Sequence, residues 1–286
     1  MLHTIRPTWE NVWATAALLL VLGALLSAAR QRWLKAAAPF CFEGSIIGIL
    51  YGLWQLAGRI SITDVPGAFA RAHWIERFER DIHLPSEIST QQLVLGHRYV
   101  IETANLYYAS MHLTLMLFFL IWLFWRHRDQ YRPVRTCMAW VTLLCLIVQL
   151  APVAPPRMLP GFVDTGWYYG QSVYAGGLPF DQLSAMPSVH VGWAVLIGYY
   201  AWRISPSRWR YIGPAHAVIT IFVVVVTANH WWLDGIVAIA ILVVTAWAQI
   251  GVRTLWRSWR VDSGAATSGG SRADETPVAV LEPDPA

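Results

Sequence analysis

Long stretches with no Lys, Arg, Asp or Glu constrain this chain most: several windows of 16 or more residues lack all four. Such runs suit a membrane, because crossing roughly 30 Å of hydrocarbon takes about 20 apolar helical residues. A charge at the bilayer centre costs roughly 2.5–3.5 kcal/mol on insertion scales, and the charges here sit between the runs. Only 13% of the 286 residues are charged, against roughly 25% in soluble domains. The expected fold is all-α, a polytopic transmembrane helix bundle. The net charge of +4 comes from basic residues that punctuate loops without forming a stripe, which speaks against nucleic acid as a partner.

Seven spans are expected, at about 11–29, 39–58, 100–125, 136–153, 188–203, 211–229 and 232–250. Basic residues follow the first, third, fifth and seventh: Arg30, Arg32 and Lys35; Arg126, Arg128, Arg132 and Arg135; Arg203, Arg208 and Arg210; Arg253, Arg257 and Arg260. Short basic loops stay inside, so the pattern predicts an integral plasma-membrane protein with its N-terminus out and C-terminus cytoplasmic. Segments 59–99, 154–187 and 230–234 then face outward. The first span carries its basic flank on the far side, the charge order of a retained span and not of a cleaved signal. Three regions are expected: 1–38 with the first span and its basic loop, a membrane-embedded core over 39–260, and a tail over 261–286. The tail, rich in Ser, Gly, Ala, Pro and acid without aromatics, reads as disordered.

Within 59–99, Trp74, Ile75, Phe78 and Ile82 share a helical face opposite Glu76, Arg77, Glu79 and Arg80. That pattern predicts an amphipathic helix at about 67–83, lying along the outer membrane surface or packed on the bundle top. Many of the 17 tryptophans, including Trp9, Trp33, Trp125, Trp167, Trp231 and Trp232, fall near span ends, as in an interfacial belt. Trp167, Tyr168 and Tyr169 also fit the wall of a headgroup pocket. The cysteines, Cys41, Cys137 and Cys145, are odd in number without a CxxC, so they read as apolar packing residues.

Three segments carry chemistry, and the predicted topology puts all three on the outer side. They are Ala154-Pro155-Pro156-Arg157, Met186-Pro187-Ser188-Val189-His190 and Asn229-His230-Trp231-Trp232-Leu233-Asp234. His230 and Asp234 are four apart, so on a helix they stack on one face. The carboxylate then holds one imidazole nitrogen protonated and leaves the other as a lone pair, the arrangement of a nucleophile or base. Spacing alone is weak, since His83 and Glu87 match it as well; His230–Asp234 stands out because it interrupts a long uncharged stretch. Pro187 and Ser188 mark a helix start, whose unpaired N–H groups favour anions with His190 beside it as a proton donor, or which is an ordinary cap with a packed histidine. Arg157, stiffened by two prolines, suits phosphate or anchors a headgroup; the two histidine segments favour phosphate. Asn105, Tyr108 and His112 share one face of the third span, where they line a cavity or satisfy one another. Asp164 is a candidate for an acceptor hydroxyl. No carboxylate cluster is present to hold a metal, and no cofactor is expected.

Together the three segments resemble the type 2 phosphatidic acid phosphatase superfamily, over roughly residues 150–236. The resemblance implies a six-helix core with one extra N-terminal span. It implies that His230 forms a phosphohistidine, that Asp234 orients it, that His190 is the general acid, and that Arg157 and Ser188 hold phosphate. This chain departs from the family pattern at Val189, where glycine is usual, at Val224, where the third motif has arginine, and at Met158 after Arg157. These departures are more similar to the branch containing inositol phosphorylceramide synthases, which move a phosphorylated headgroup between lipids. The expected function is therefore phosphoryl or headgroup transfer from a lipid phosphate or phospholipid. The alternatives are a lipid phosphate phosphatase and an anionic-lipid transporter, the latter disfavoured because no internal repeat is visible.

Overall fold

The computed structural model describes residues 8–174 and 182–269; residues 270–286 of the expected tail lie outside them. The structure is 82% helical, with no strand among the described residues. In a membrane a helix satisfies its own backbone hydrogen bonds, which lone strands cannot do. The helices are α1 (Trp9–Ala28), α2 (Arg32–Ser61), α3 (Val65–Asp81), α4 (Glu87–Leu95), α5 (Arg98–Arg126), α6 (Arg128–Val148), α7 (Thr165–Tyr168), α8 (Val189–Ile204), α9 (Ile212–Val226) and α10 (Trp232–Gly269).

Six of these segments are long and apolar enough to cross a membrane: α1, α2, α5, α6, α9 with the turn before it, and α10. The remaining expected span is α8, whose 16 residues rise about 24 Å, less than the hydrocarbon thickness. The chain divides into two compact units, Met1–Val243 and Val244–Ala286. In the second, the described residues continue as helix to Gly269. In the first, α8 and α9 approach closely where Gly198 meets Gly213: a Cβ on Gly213 would lie 2.7 Å from that of Ala201. Small residues permit this backbone contact, which anchors the two helices that lead into and out of the candidate site.

The amphipathic helix forms, as α3, but it has two apolar faces. Asp64 caps it by accepting from the Gly67 N–H. Ala68, Ala72, Ile75 and Glu79 are buried against the end of the bundle, whereas Trp74, Phe78 and Ile82 are exposed, the first two stacked 5.2 Å apart. An unforeseen helix, α4, follows, capped by Ser86.

Under α3 lies a core of Ala68, Ala72, Ile75, Val153, Ala154, Leu159, Leu183, Ala185 and Trp231. Trp231 departs from the interfacial-belt expectation: it is only 1% exposed and its Nε1–H donates to the Ala154 carbonyl at 3.0 Å. Trp231→Ala is expected to cost about 3–5 kcal/mol through the cavity it leaves. Trp231→Phe should cost about 1–3 kcal/mol, because the Ala154 carbonyl loses its donor. Thermal unfolding in detergent measures both, and unchanged midpoints would remove Trp231 from the core.

Candidate active site

The third motif is shaped by how α9 ends. Ala228 adopts a left-handed φ of 53°, the Asn229 N–H bonds to Val224 O at 3.0 Å and the Ala228 N–H to Val225 O at 2.8 Å. This is a Schellman turn with alanine where glycine is usual, a backbone that costs a side-chain-bearing residue about 1–2 kcal/mol. It reverses the chain within a few residues, so His230 and Trp231 stand in the turn before α10 and Asp234 in its first helical turn. His230 and Asp234 therefore do not stack along a helix, as their spacing alone suggests; they meet across a helix start.

Backbone hydrogen bonds tie the three motif segments together. The Arg157 N–H donates to Ala228 O at 2.8 Å, joining the first to the third. Val153 joins the first to the second: its N–H donates to Leu183 O (2.8 Å) and its carbonyl accepts from the Ala185 N–H (3.2 Å). The Ser188 N–H donates to Asp234 O at 3.1 Å, joining the second to the third. Gln149 at the end of α6 adds a bond from Nε2 to Pro187 O at 3.2 Å.

These ties set the chemistry of His230. Its Nδ1 lies 2.7 Å from the Ala185 carbonyl oxygen and 3.2 Å from Asp234 Oδ2. A carbonyl only accepts, so Nδ1 carries the proton and the neutral ring keeps its lone pair on Nε2. That Nε2 is buried and has no hydrogen-bond partner among the described residues. Asp234, fully buried, also accepts from the Trp231 N–H at 2.8 Å. The His190 ring is centred 5.6 Å from that of His230, and Tyr108 stacks on His190 at 4.6 Å. His112 comes within 4.1 Å of His190, centre to centre. Ser188 is fully buried and its hydroxyl oxygen caps α8, accepting from the Val191 N–H at 3.3 Å.

Arg157 lies in a tight turn, Pro156–Met158, with its side chain almost fully buried. Nε faces Asp164 Oδ2 at 3.4 Å and the guanidinium lies over the Tyr174 ring at 4.4 Å. Nη1 and Nη2 are buried without a partner among the described residues. Two unused N–H-bearing ends on a planar cation suit a bidentate oxyanion. Arg157 lines a small cleft, open in part to solvent, together with Tyr108, Asp164, Gln171, Tyr174 and Asn229. Asp164 is thus engaged twice, pairing with Arg157 and capping α7 through the Trp167 N–H at 2.9 Å. Asn105 holds this loop to α5: its Nδ2 donates to Gln171 Oε1 at 3.1 Å and its Oδ1 accepts from Thr165 Oγ1 at 2.9 Å. Trp167 and Tyr168 are exposed, and the cavity is not lined by them.

The structure thus brings the three motif segments together with Asn105, Tyr108, His112 and Asp164. Reading the sequence missed Thr165, Gln171 and Tyr174, which sit in a polar loop with no periodicity to mark them. It also missed Glu79 and Glu87. Both are buried, and each accepts from an N–H at the start of α10. A signal for Glu79 was present: it continues the stripe Ala68, Ala72 and Ile75 at helical spacing. Glu87 belonged to the His83–Glu87 pair set aside as a chance match, and that pair does not form, since His83 is exposed at a positive φ of 60°.

No curated protein and no solved structure shows significant similarity to the chain. A family model described as the PAP2 superfamily matches residues 73–248, which takes in α4 to α9, part of α10 and all three motif segments. The chain belongs to the PAP2 superfamily, whose members are phosphatases or phosphotransferases.

Proposed function

We propose that the protein is a lipid phosphotransferase working through a phosphohistidine on His230, and that it moves a phosphoryl or phospho-headgroup from one lipid to an alcohol. The observation that carries the reading is the state of His230: proton fixed on Nδ1, lone pair bare on a buried Nε2. In the first step that lone pair attacks phosphorus and the bond from phosphorus to the lipid oxygen breaks. His190 gives a proton to the departing oxygen, making it an alcohol. Asp234 and the Ala185 carbonyl steady the positive charge that the His230 ring gains. Arg157 offers its free nitrogens to the phosphoryl oxygens as their charge grows. In the second step His190 takes a proton from the acceptor hydroxyl, the acceptor oxygen attacks phosphorus, and the electrons of the P–N bond return to Nε2.

Hydrolysis differs only in using water as the acceptor. Transfer is preferred because the cavity beside Arg157 is walled by Asn105, Gln171, Tyr108 and Tyr174, amides and phenols suited to a hydroxyl-bearing group, and because the motif departures resemble the inositolphosphotransferase-like branch. With basic loops inside, this end of the bundle faces outward from the plasma membrane and the C-terminus is cytoplasmic.

The test is a product assay with chelator present. Purified protein receives phosphatidic acid, a polyprenyl phosphate, and phosphatidylinositol with a lipid alcohol, while free phosphate and new phospholipid are followed together. New phospholipid without phosphate is the expected result; free phosphate alone would make the protein a phosphatase. Neither product across the panel would overturn the enzymatic reading in favour of binding or transport. Repeating the assay on right-side-out vesicles should show consumption of an impermeant short-chain substrate from outside.

A further inference from the structure

We infer that Glu79 and Glu87 are positioning residues for the His230 nucleophile, clamping the first turn of α10 through its unpaired N–H groups. The inference rests on His230 being the nucleophile.

The first N–H groups of a helix have no partner within it and are normally capped by a Ser, Thr, Asp or Asn just before the helix. Here the residues just before α10 are His230 and Trp231, neither of which caps. Three consecutive N–H groups find carboxyls instead. The Trp231 N–H donates to Asp234 Oδ2 at 2.8 Å, Trp232 to Glu87 Oε1 at 3.4 Å and Leu233 to Glu79 Oε1 at 2.5 Å. The last two acceptors are supplied from α4 and α3, more than 140 residues away in sequence. The Trp232 indole adds a bond from Nε1 to Pro85 O at 2.8 Å. The helix start that presents His230 and Asp234 is thereby held by the two helices at the end of the bundle as well as by its own Asp234.

The charges at this helix start set the state of Glu79. A helix N-terminus offsets about half a negative charge, and three carboxylates converge on this one. Glu79 is only 2% exposed, and its Oε2 meets no donor N–H among the described residues. Burial, together with a hydrogen bond to Glu87 and the charges of Glu87 and Asp234, pushes Glu79 up to about 10. At neutral pH it is a carboxylic acid whose Oε1 accepts from the Leu233 N–H. The other charged groups beside it are Glu76 and Arg80 on α3, which line the adjoining cleft with Glu79 and Glu87. Glutamine keeps the acceptor oxygen and, like the neutral acid, carries no charge.

Four variants of the full chain test this in detergent: Glu79→Gln, Glu79→Ala, Glu87→Gln and His230→Ala. Turnover uses phosphatidic acid or phosphatidylinositol with a lipid alcohol, whichever the wild type consumes faster. Glu79→Gln should keep kcat within about threefold, and Glu79→Ala should lose on the order of 10- to 100-fold in kcat per folded molecule, with KM changed less than about threefold. Glu87→Gln should fall between them, since the amide still accepts from Trp232. As pH rises through about 10, Glu79 ionises beside two other carboxylates, so wild-type kcat should fall there while Glu79→Gln loses this limb. Independently of any substrate, amide exchange at Trp232 and Leu233 should be about tenfold faster in Glu79→Ala and unchanged in Glu79→Gln.

Glu79→Gln as impaired as Glu79→Ala would overturn the proposal, because the negative charge itself would then be needed, as in a cation site. Unchanged kcat per folded molecule or unchanged exchange in Glu79→Ala would overturn it too. An active His230→Ala variant overturns the nucleophile assignment itself; an inactive one beside an unaffected Glu79→Ala overturns only the positioning role.

Discussion

Replacing His230 with alanine should lower turnover by on the order of 10⁴-fold or more, to the level of losing the nucleophile outright. The ring is the only group in the proposed scheme that carries the phosphoryl group between donor and acceptor. Its protonation pattern depends on partners that remain in the variant: the Ala185 carbonyl at 2.7 Å and Asp234 at 3.2 Å. The fold should survive, since the backbone bonds joining the three motif segments do not involve the imidazole. Two measurements check this. One is turnover of the panel substrates beside an unfolding curve. The other is trapping of radiolabelled phosphate on the wild-type protein, acid-labile and base-stable as a phosphohistidine is, and absent from His230→Ala. Label retained in the variant would transfer the nucleophile role to another residue, with His190 the nearest imidazole to examine.

The second large effect is expected at Arg157. Removing one pre-organised donor to a developing oxyanion costs about 10²–10³-fold in kcat, and Arg157→Ala should fall in that range. Arg157→Lys should recover little of it. Lysine supplies charge as a compact ammonium, whereas Arg157 lies flat on Tyr174 at 4.4 Å, spends Nε on Asp164 and keeps Nη1 and Nη2 together for one acceptor. Steady-state kinetics on the two variants decides the matter. Near wild-type kcat in Arg157→Lys would make the residue a simple positive anchor for a headgroup, remote from the reacting oxygens.

How much of this was legible beforehand follows from which interactions are local. The membrane bundle was readable because the cost of burying charge in lipid acts on every window of the chain separately. The span of α5, Arg98–Arg126, lies close to the expected 100–125, whereas α2 begins at Arg32 against an expected 39 and α6 at Arg128 against an expected 136. The amphipathic period of α3 was readable for the same reason, although which apolar stripe faces the bundle was not: Ile75 went in, Trp74 and Phe78 stayed out. The three motif segments were recognisable as short motifs, and alternation of basic loops predicts that they share one side of the membrane.

What the tertiary structure decided is everything that depends on partners distant in sequence. The spacing of His230 and Asp234 indicated a pair, but the shortest bond fixing the His230 proton comes from a carbonyl 45 residues away. Asp164, placed by its loop as a possible acceptor site, is drawn to Arg157 because that buried cation needs a counter-charge. Glu79 and Glu87 read as surface charges, and packing turned them into the caps of a helix more than 140 residues further on. A single helix announces its faces through its period and its ends through its capping residues. Which group meets which across the bundle is set only when packing brings the elements together, and the chemistry proposed for this site lies in those meetings.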